Sequence, residues 1–181
     1  MATTTEATAE ELYKVPGKAE IVNGEIILMS PTGDAPSTAA GEIFVSLHAY
    51  GQRTNTGRPY ADNTGFKVDL PNRKSFSPDV AFYTGERTGM RFLEGAPIFA
   101  VEVRSENDYG PLAEREIAAK RSDYFAAGTL VVWDVDLLSE DVITSYDAEH
   151  PDTPVLFRRG DIASATVVLP GWEFPVNKLF Q

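Results

Sequence analysis

Three residues are placed to do chemistry together: Asp79, Glu102 and Lys120. Glu102 stands inside Ile98-Phe99-Ala100-Val101-Glu102-Val103, a run that is otherwise apolar. An acid buried in such a strand is costly unless it is paired or holds a metal ion. Asp79 follows Pro78, which favours an extended backbone and a strand start before Val80-Ala81-Phe82-Tyr83. Two strand carboxylates with a lysine on the next helix make the minimum set for metal-assisted hydrolysis of a phosphodiester. The carboxylates gather the ion, and the lysine orients the attacking water or helps to deprotonate it. Each residue also has a plainer reading: a buried ion pair for Glu102 and Lys120, and a turn cap for Asp79.

The surrounding pattern says which elements must carry these groups. In a strand over 98–104, Glu102 shares a face with Ala100 and Arg104, while Phe99, Val101 and Val103 point the other way. A helix is expected from Leu112 to Ala127, ended by Gly128, with Ala113, Ile117, Lys120 and Tyr124 on one face. Lys120 therefore presses toward the sheet, where Glu102 is its nearest partner in topology. A buried strand from Leu130 to Asp134 follows, and strand–helix–strand implies a parallel crossover. Upstream, Asn23-Gly24 between Glu20-Ile21-Val22 and Glu25-Ile26-Ile27-Leu28 signals a hairpin. Its acids, Glu20 and Glu25, point to no single role. A helix is expected from Pro36 to about Tyr50, with Gly51 as its stop, and Glu42 within it is a secondary candidate for the same site. Further strands are expected over 65–70, 79–83, 142–146, 155–157 and 165–169. The fold class is α/β, or α+β if most strand pairs are antiparallel: a mixed central sheet flanked by helices.

Composition narrows the chemistry. The chain of 181 residues is 43% hydrophobic and 24% charged, which suits one domain over 11–181 behind a polar, disordered leader over 1–10. With no cysteine and only His48 and His150, thiolate zinc sites, cysteine nucleophiles and His-rich metal sites are excluded. No run is apolar enough to span a membrane, and the N-terminus lacks signal-peptide character, so a cytoplasmic protein is expected. The net charge of −11 opposes the basic footprint of a nucleic-acid binder. Its distribution softens the objection, since residues 53–121 balance at +1 and the flanks carry −12. No serine nucleophile elbow, phosphate-binding P-loop or dinucleotide fingerprint is present.

Pro78-Asp79 followed by Glu102-Val103-Arg104 resembles the PD-(D/E)xK phosphodiesterase signature. With Glu20 to Glu25, Ser77 to Tyr83, Val101 to Ser105, Lys120 through Trp133-Asp134, and Leu169-Pro170-Gly171-Trp172, the chain resembles the bacterial family of putative restriction endonucleases of unknown substrate. The resemblance implies a restriction-endonuclease-like fold and a Mg²⁺- or Mn²⁺-dependent nuclease acting on nucleic acid, by analogy DNA. Asp79 and Glu102 would ligate the metal, with the Val103 carbonyl as a third ligand, Lys120 positioning the water, and Glu42 reaching a second ion or a water. Arg104 takes the place where the superfamily has lysine; arginine stays protonated, and the lysine function moves to Lys120. Ala39 and Ala40 stand where a helix histidine is often found. The other reading is a non-catalytic nucleic-acid-binding or regulatory module that keeps the fold. The apolar C-terminal run over 167–174 suggests a homodimer, unless Trp172 and Phe174 fold back onto the protomer's own core.

Overall fold

The computed structural model describes residues 6–181. A short helix α1 (Ala9–Leu12) precedes the hairpin β1 (Ala19–Val22) and β2 (Glu25–Leu28), then the long helix α2 (Asp34–Thr54). Strands β3 (Arg58–Ala61), β4 (Phe66–Lys67), β5 (Ser75–Phe76), β6 (Val80–Tyr83), β7 (Leu93–Glu94) and β8 (Phe99–Val103) follow. Helix α3 (Pro111–Ala126) leads to β9 (Val131–Val135), β10 (Asp141–Asp147), β11 (Val155–Arg158), β12 (Ile162–Ser164) and β13 (Glu173–Pro175). A 3₁₀ turn over Val176–Phe180 closes the chain.

The centre is a six-stranded mixed sheet in the order β11-β10-β9-β8-β6-β3. Only β8 and β9 run parallel, joined through α3 as the strand–helix–strand pattern requires; the other pairs are antiparallel. One face packs Phe82, Phe99, Val101 and Trp133 against Ile43 and Leu47 of α2 and against Trp172 and Phe174. The opposite face packs Ala81, Ala100 and Val132 against Tyr124 of α3, with Phe66 and Phe76 of a small three-stranded sheet. Alternation along β8 thus sends Phe99, Val101 and Val103 to the α2 side and turns Ala100 and Glu102 toward α3. Among the described residues no helix is long and apolar enough to cross a membrane.

Several expectations change. Of the leader expected over 1–10, residues 1–5 lie outside the described residues, and within the rest Thr8 builds a capping box with Glu11 that starts α1 at Ala9. Gly51 does not stop α2, which runs on to Thr54 and ends at Asn55 in the left-handed conformation (φ 53°). Gly51 instead sits at a close approach, since a Cβ there would lie 3.1 Å from the Gly57 carbonyl, tighter than ordinary contact. Residues 165–169 form a turn rather than a strand, with Val168 and Leu169 N–H donating to the Ala165 carbonyl. The strand over 65–70 shortens to Phe66–Lys67, because Leu70 N–H closes a turn onto the Arg73 carbonyl. Strand β3 was not expected at all. Pro59 within it argues against a central strand, yet β3 is the sheet edge, where a missing N–H is tolerated. Trp172 and Phe174 are 2% and 0% exposed in the protomer's own core, so they no longer speak for a dimer.

The contact between β3 and β6 yields a stability prediction. A Cβ on Gly57 would lie 2.5 Å from the Phe82 ring and 2.8 Å from the Tyr83 carbonyl oxygen. Gly57→Ala must push backbone as well as ring, so an overpacking cost of about 1–3 kcal/mol is expected. A thermal melt reads this as a drop of several degrees.

Candidate functional site

Glu102 is the carboxylate that β8 turns toward α3, and α3 answers with Lys120 and Tyr124. Lys120 Nζ lies 2.9 Å from Glu102 Oε1 and 2.9 Å from Glu20 Oε1 of β1. Tyr124 donates its hydroxyl to the same Glu102 oxygen at 2.6 Å. Glu102 Oε2 has no hydrogen-bond partner among the described residues, and a quarter of the side chain (25%) remains exposed, which leaves one hard oxygen open to a ligand.

Asp79 stands at a bend just before β6, near enough to Glu102 for its charge to act on that carboxyl. Its Oδ2 accepts the N–H of Val103 at 2.8 Å, which ties it to the residue after Glu102. Its Oδ1 holds Lys18 Nζ at 2.7 Å, and that ammonium also touches Asp62 Oδ1 at 2.6 Å. Asp79 and Asp62 border a cleft of about 220 Å³ whose other walls are Thr32, Ala61 and the α2 residues Ser37, Ala40, Gly41 and Phe44.

Glu20 anchors the other end. It is 2% exposed and accepts from Arg73 Nη1 at 2.5 Å and from the Ser77 N–H at 2.8 Å, in addition to Lys120. Arg73 continues to Asp123 at 2.8 Å. Five carboxylates (Glu20, Asp62, Asp79, Glu102, Asp123) thus surround three cations (Lys18, Arg73, Lys120), a net charge of −2 when all are ionised.

The electrostatics follow from this count. Burial alone would raise the Glu20 pKa, but Lys120 and Arg73 outweigh it and hold the group below the ordinary carboxylate range. Burial pushes Glu102 up; Lys120 pulls it back, and the charges of Asp79 and Glu20 push it up again, so the balance stays raised. Burial would lower Lys120, yet Glu102 and Glu20 reverse this and fix it as an ammonium. Burial and the Glu102 charge raise Tyr124 well above the phenol value, so it remains a donor.

Among the described residues no three acidic or histidine side chains converge closely enough to hold an ion by themselves. The site still fits a hard divalent ion in its chemistry. Glu102 offers an open oxygen, Asp79 offers a second carboxylate, and the net −2 is what one such ion would neutralise. Glu42 is not brought to this site. It lies two residues beyond the cleft-lining Ala40, rotated by about 200° on the helix, and has no ion pair among the described residues. Arg104 is not at the site either. Its guanidinium grips Asp134 of β9 through two bonds of 2.8 and 2.7 Å and reaches Glu114 at the start of α3. It straps the end of β8 to β9 and to the start of α3.

No local pattern in the sequence points to Lys18, Asp62 or Arg73, and the hairpin acid Glu20 has no single role there. Glu20 did carry a signal, since Ala19-Glu20-Ile21-Val22 sets an acid among apolar strand residues as Glu102 is set.

Comparison with known proteins agrees with this architecture. A crystal structure of a putative nuclease belonging to DUF820, from Anabaena variabilis, superposes with a TM-score of 0.73. That match covers 96% of this chain and 97% of the other at 17% identity, and so reports a shared fold. A comparison with curated proteins finds no match. Residues 9–177 match the family described as Uma2, putative restriction endonuclease. A match over nearly the whole chain, on a restriction-endonuclease-like fold, makes this protein a member of the Uma2 family of putative restriction endonucleases.

Proposed function

We propose that the protein is a divalent-metal-dependent endonuclease that hydrolyses phosphodiester bonds, with Mg²⁺ or Mn²⁺ as the ion and DNA as the substrate. The observation that carries this reading is the meeting of Glu102, Lys120 and Glu20 beside Asp79, with an excess of two negative charges. Asp79 and Glu102 would hold the ion, with the Val103 carbonyl as a third oxygen. Bound there, the ion supplies Lewis-acid charge at the scissile phosphate and acidifies a water. Lys120 is held protonated by two carboxylates, so it serves as a donor rather than a base. It orients the attacking water and offsets charge growing on the phosphate. Glu20 and Arg73 fix the lysine in place, and Tyr124 fixes the Glu102 carboxylate.

The test is incubation of the purified protein with single-stranded and duplex DNA in EDTA, Mg²⁺ or Mn²⁺. Cleavage that needs the divalent ion is expected. A second reading, a binding module that keeps the fold, is favoured by the engagement of Asp79 by Lys18. DNA affinity without divalent-dependent cleavage on any substrate would decide for it.

A further inference from the structure

Lys18 is the one cation of the site that the mechanism leaves without a task. It lies just before β1, 61 residues from Asp79, and its side chain is only 13% exposed. Its ammonium sits on Asp79 Oδ1, while Asp79 Oδ2 is taken by the Val103 N–H. Both oxygens of this carboxylate are thus engaged by the protein itself. A divalent ion drawn to Asp79 meets a positive charge on the only oxygen that is not tied to the backbone. Two cations sharing one carboxylate repel, and the stronger repulsion at low local dielectric makes the two alternatives compete. The lysine has somewhere to go, because Asp62 holds the same ammonium at 2.6 Å from a more exposed position, 43% against 12% for Asp79.

We propose that Lys18 is a positioning residue that neutralises Asp79 in the ion-free site and sets the affinity for divalent ions by exchanging with them, staying on Asp62 once displaced. The inference rests on the nuclease reading of Asp79 and Glu102. It makes Lys18 a built-in competitor. In the ion-free protein it prevents two carboxylates from facing each other unbalanced, and the same contact weakens ion binding.

The experiment is calorimetric titration of Mn²⁺ into the full chain as wild type, Lys18→Met and Lys18→Arg. Lys18→Met is expected to bind Mn²⁺ at least about tenfold more tightly than wild type, since a like charge is removed from the binding oxygen. Lys18→Arg keeps the charge and is expected within about threefold of wild type. A role confined to bracing the fold would loosen the site and weaken binding in Lys18→Met, the opposite direction. Equal or weaker binding by Lys18→Met, with wild type still binding, overturns the inference and leaves the nuclease reading standing. Failure of both proteins to bind Mn²⁺ removes the two together. Should Lys18→Met not fold, Lys18→Gln, neutral and still able to hydrogen-bond Asp62, carries the same expectation and the same refutation.

Discussion

Glu102→Gln is expected to abolish divalent-dependent hydrolysis, a loss of ~10³-fold or more, while raising the melting temperature of the ion-free protein at pH 8. The two effects have one cause. Burial, with the charges of Asp79 and Glu20, raises the Glu102 pKa despite Lys120, so the folded protein holds this proton more tightly than the unfolded chain does. A group with a raised folded pKa contributes stability below its unfolded value, about 4.3 for glutamate, and that contribution is lost as pH rises through the folded pKa. At pH 8 wild type carries the cost of an ionised Glu102, which the neutral glutamine avoids. Near pH 4 wild type is protonated and the difference closes. A gain of about 1 kcal/mol would appear as roughly 2–4 °C in a chain of this size. Millimolar Mn²⁺ should reverse the order, stabilising wild type and not the variant. A Glu102→Gln protein that melts lower than wild type at pH 8 without metal would show that the pairing with Lys120 outweighs the repulsion.

The residues of the site differed in how far their placement could be read from the chain. The place of Glu102 was legible because an acid inside Phe99-Ala100-Val101 and Val103 is costly unless it is paired or holds an ion, and alternation gave its direction. The place of Lys120 was legible because Ile117, Lys120 and Tyr124 recur at helical spacing, and the structure brings Lys120 and Tyr124 to Glu102 on the sheet. Glu20 offered the same kind of signal in a strand too short to stand out. Lys18, Asp62 and Arg73 offered none. They act through ion pairs to partners 50 or more residues away or in surface loops, as with Arg73 to Asp123 and to Glu20. Such pairing depends on how the hairpin β1–β2 docks against the central sheet, and no local periodicity encodes that. Strand β3 was hidden for a different reason, since Pro59 weakens strand propensity wherever edge position cannot be foreseen. Arg104 was misleading in the opposite sense. Its place after Glu102 marks it for the site, but Asp134 at the register position beside Glu102 captures it.

Lys120→Met is expected to cost both activity and stability, and a second substitution separates the two. Removing a positioned donor that offsets charge on the phosphate should lower the rate by ~10²–10³-fold. The structural cost arises because, among the described residues, Lys120 is the one cation that directly contacts Glu102, whereas Glu20 keeps Arg73. Breaking a buried pair from one side leaves an uncompensated carboxylate, about 3 kcal/mol at neutral pH, or roughly 6–12 °C in melting temperature. Without the lysine the Glu102 pKa moves further up, so the penalty should shrink as pH falls and the carboxyl takes a proton. In wild type the lysine pKa is itself raised, so its contribution is complete below the ordinary lysine range and is lost only in strong alkali. The double variant Lys120→Met/Glu102→Gln carries no unbalanced charge at that position. It should recover most of the lost melting temperature and none of the hydrolysis. If the double variant melts no higher than Lys120→Met alone, the lysine is holding α3 to the sheet by packing rather than balancing charge at a reactive carboxylate.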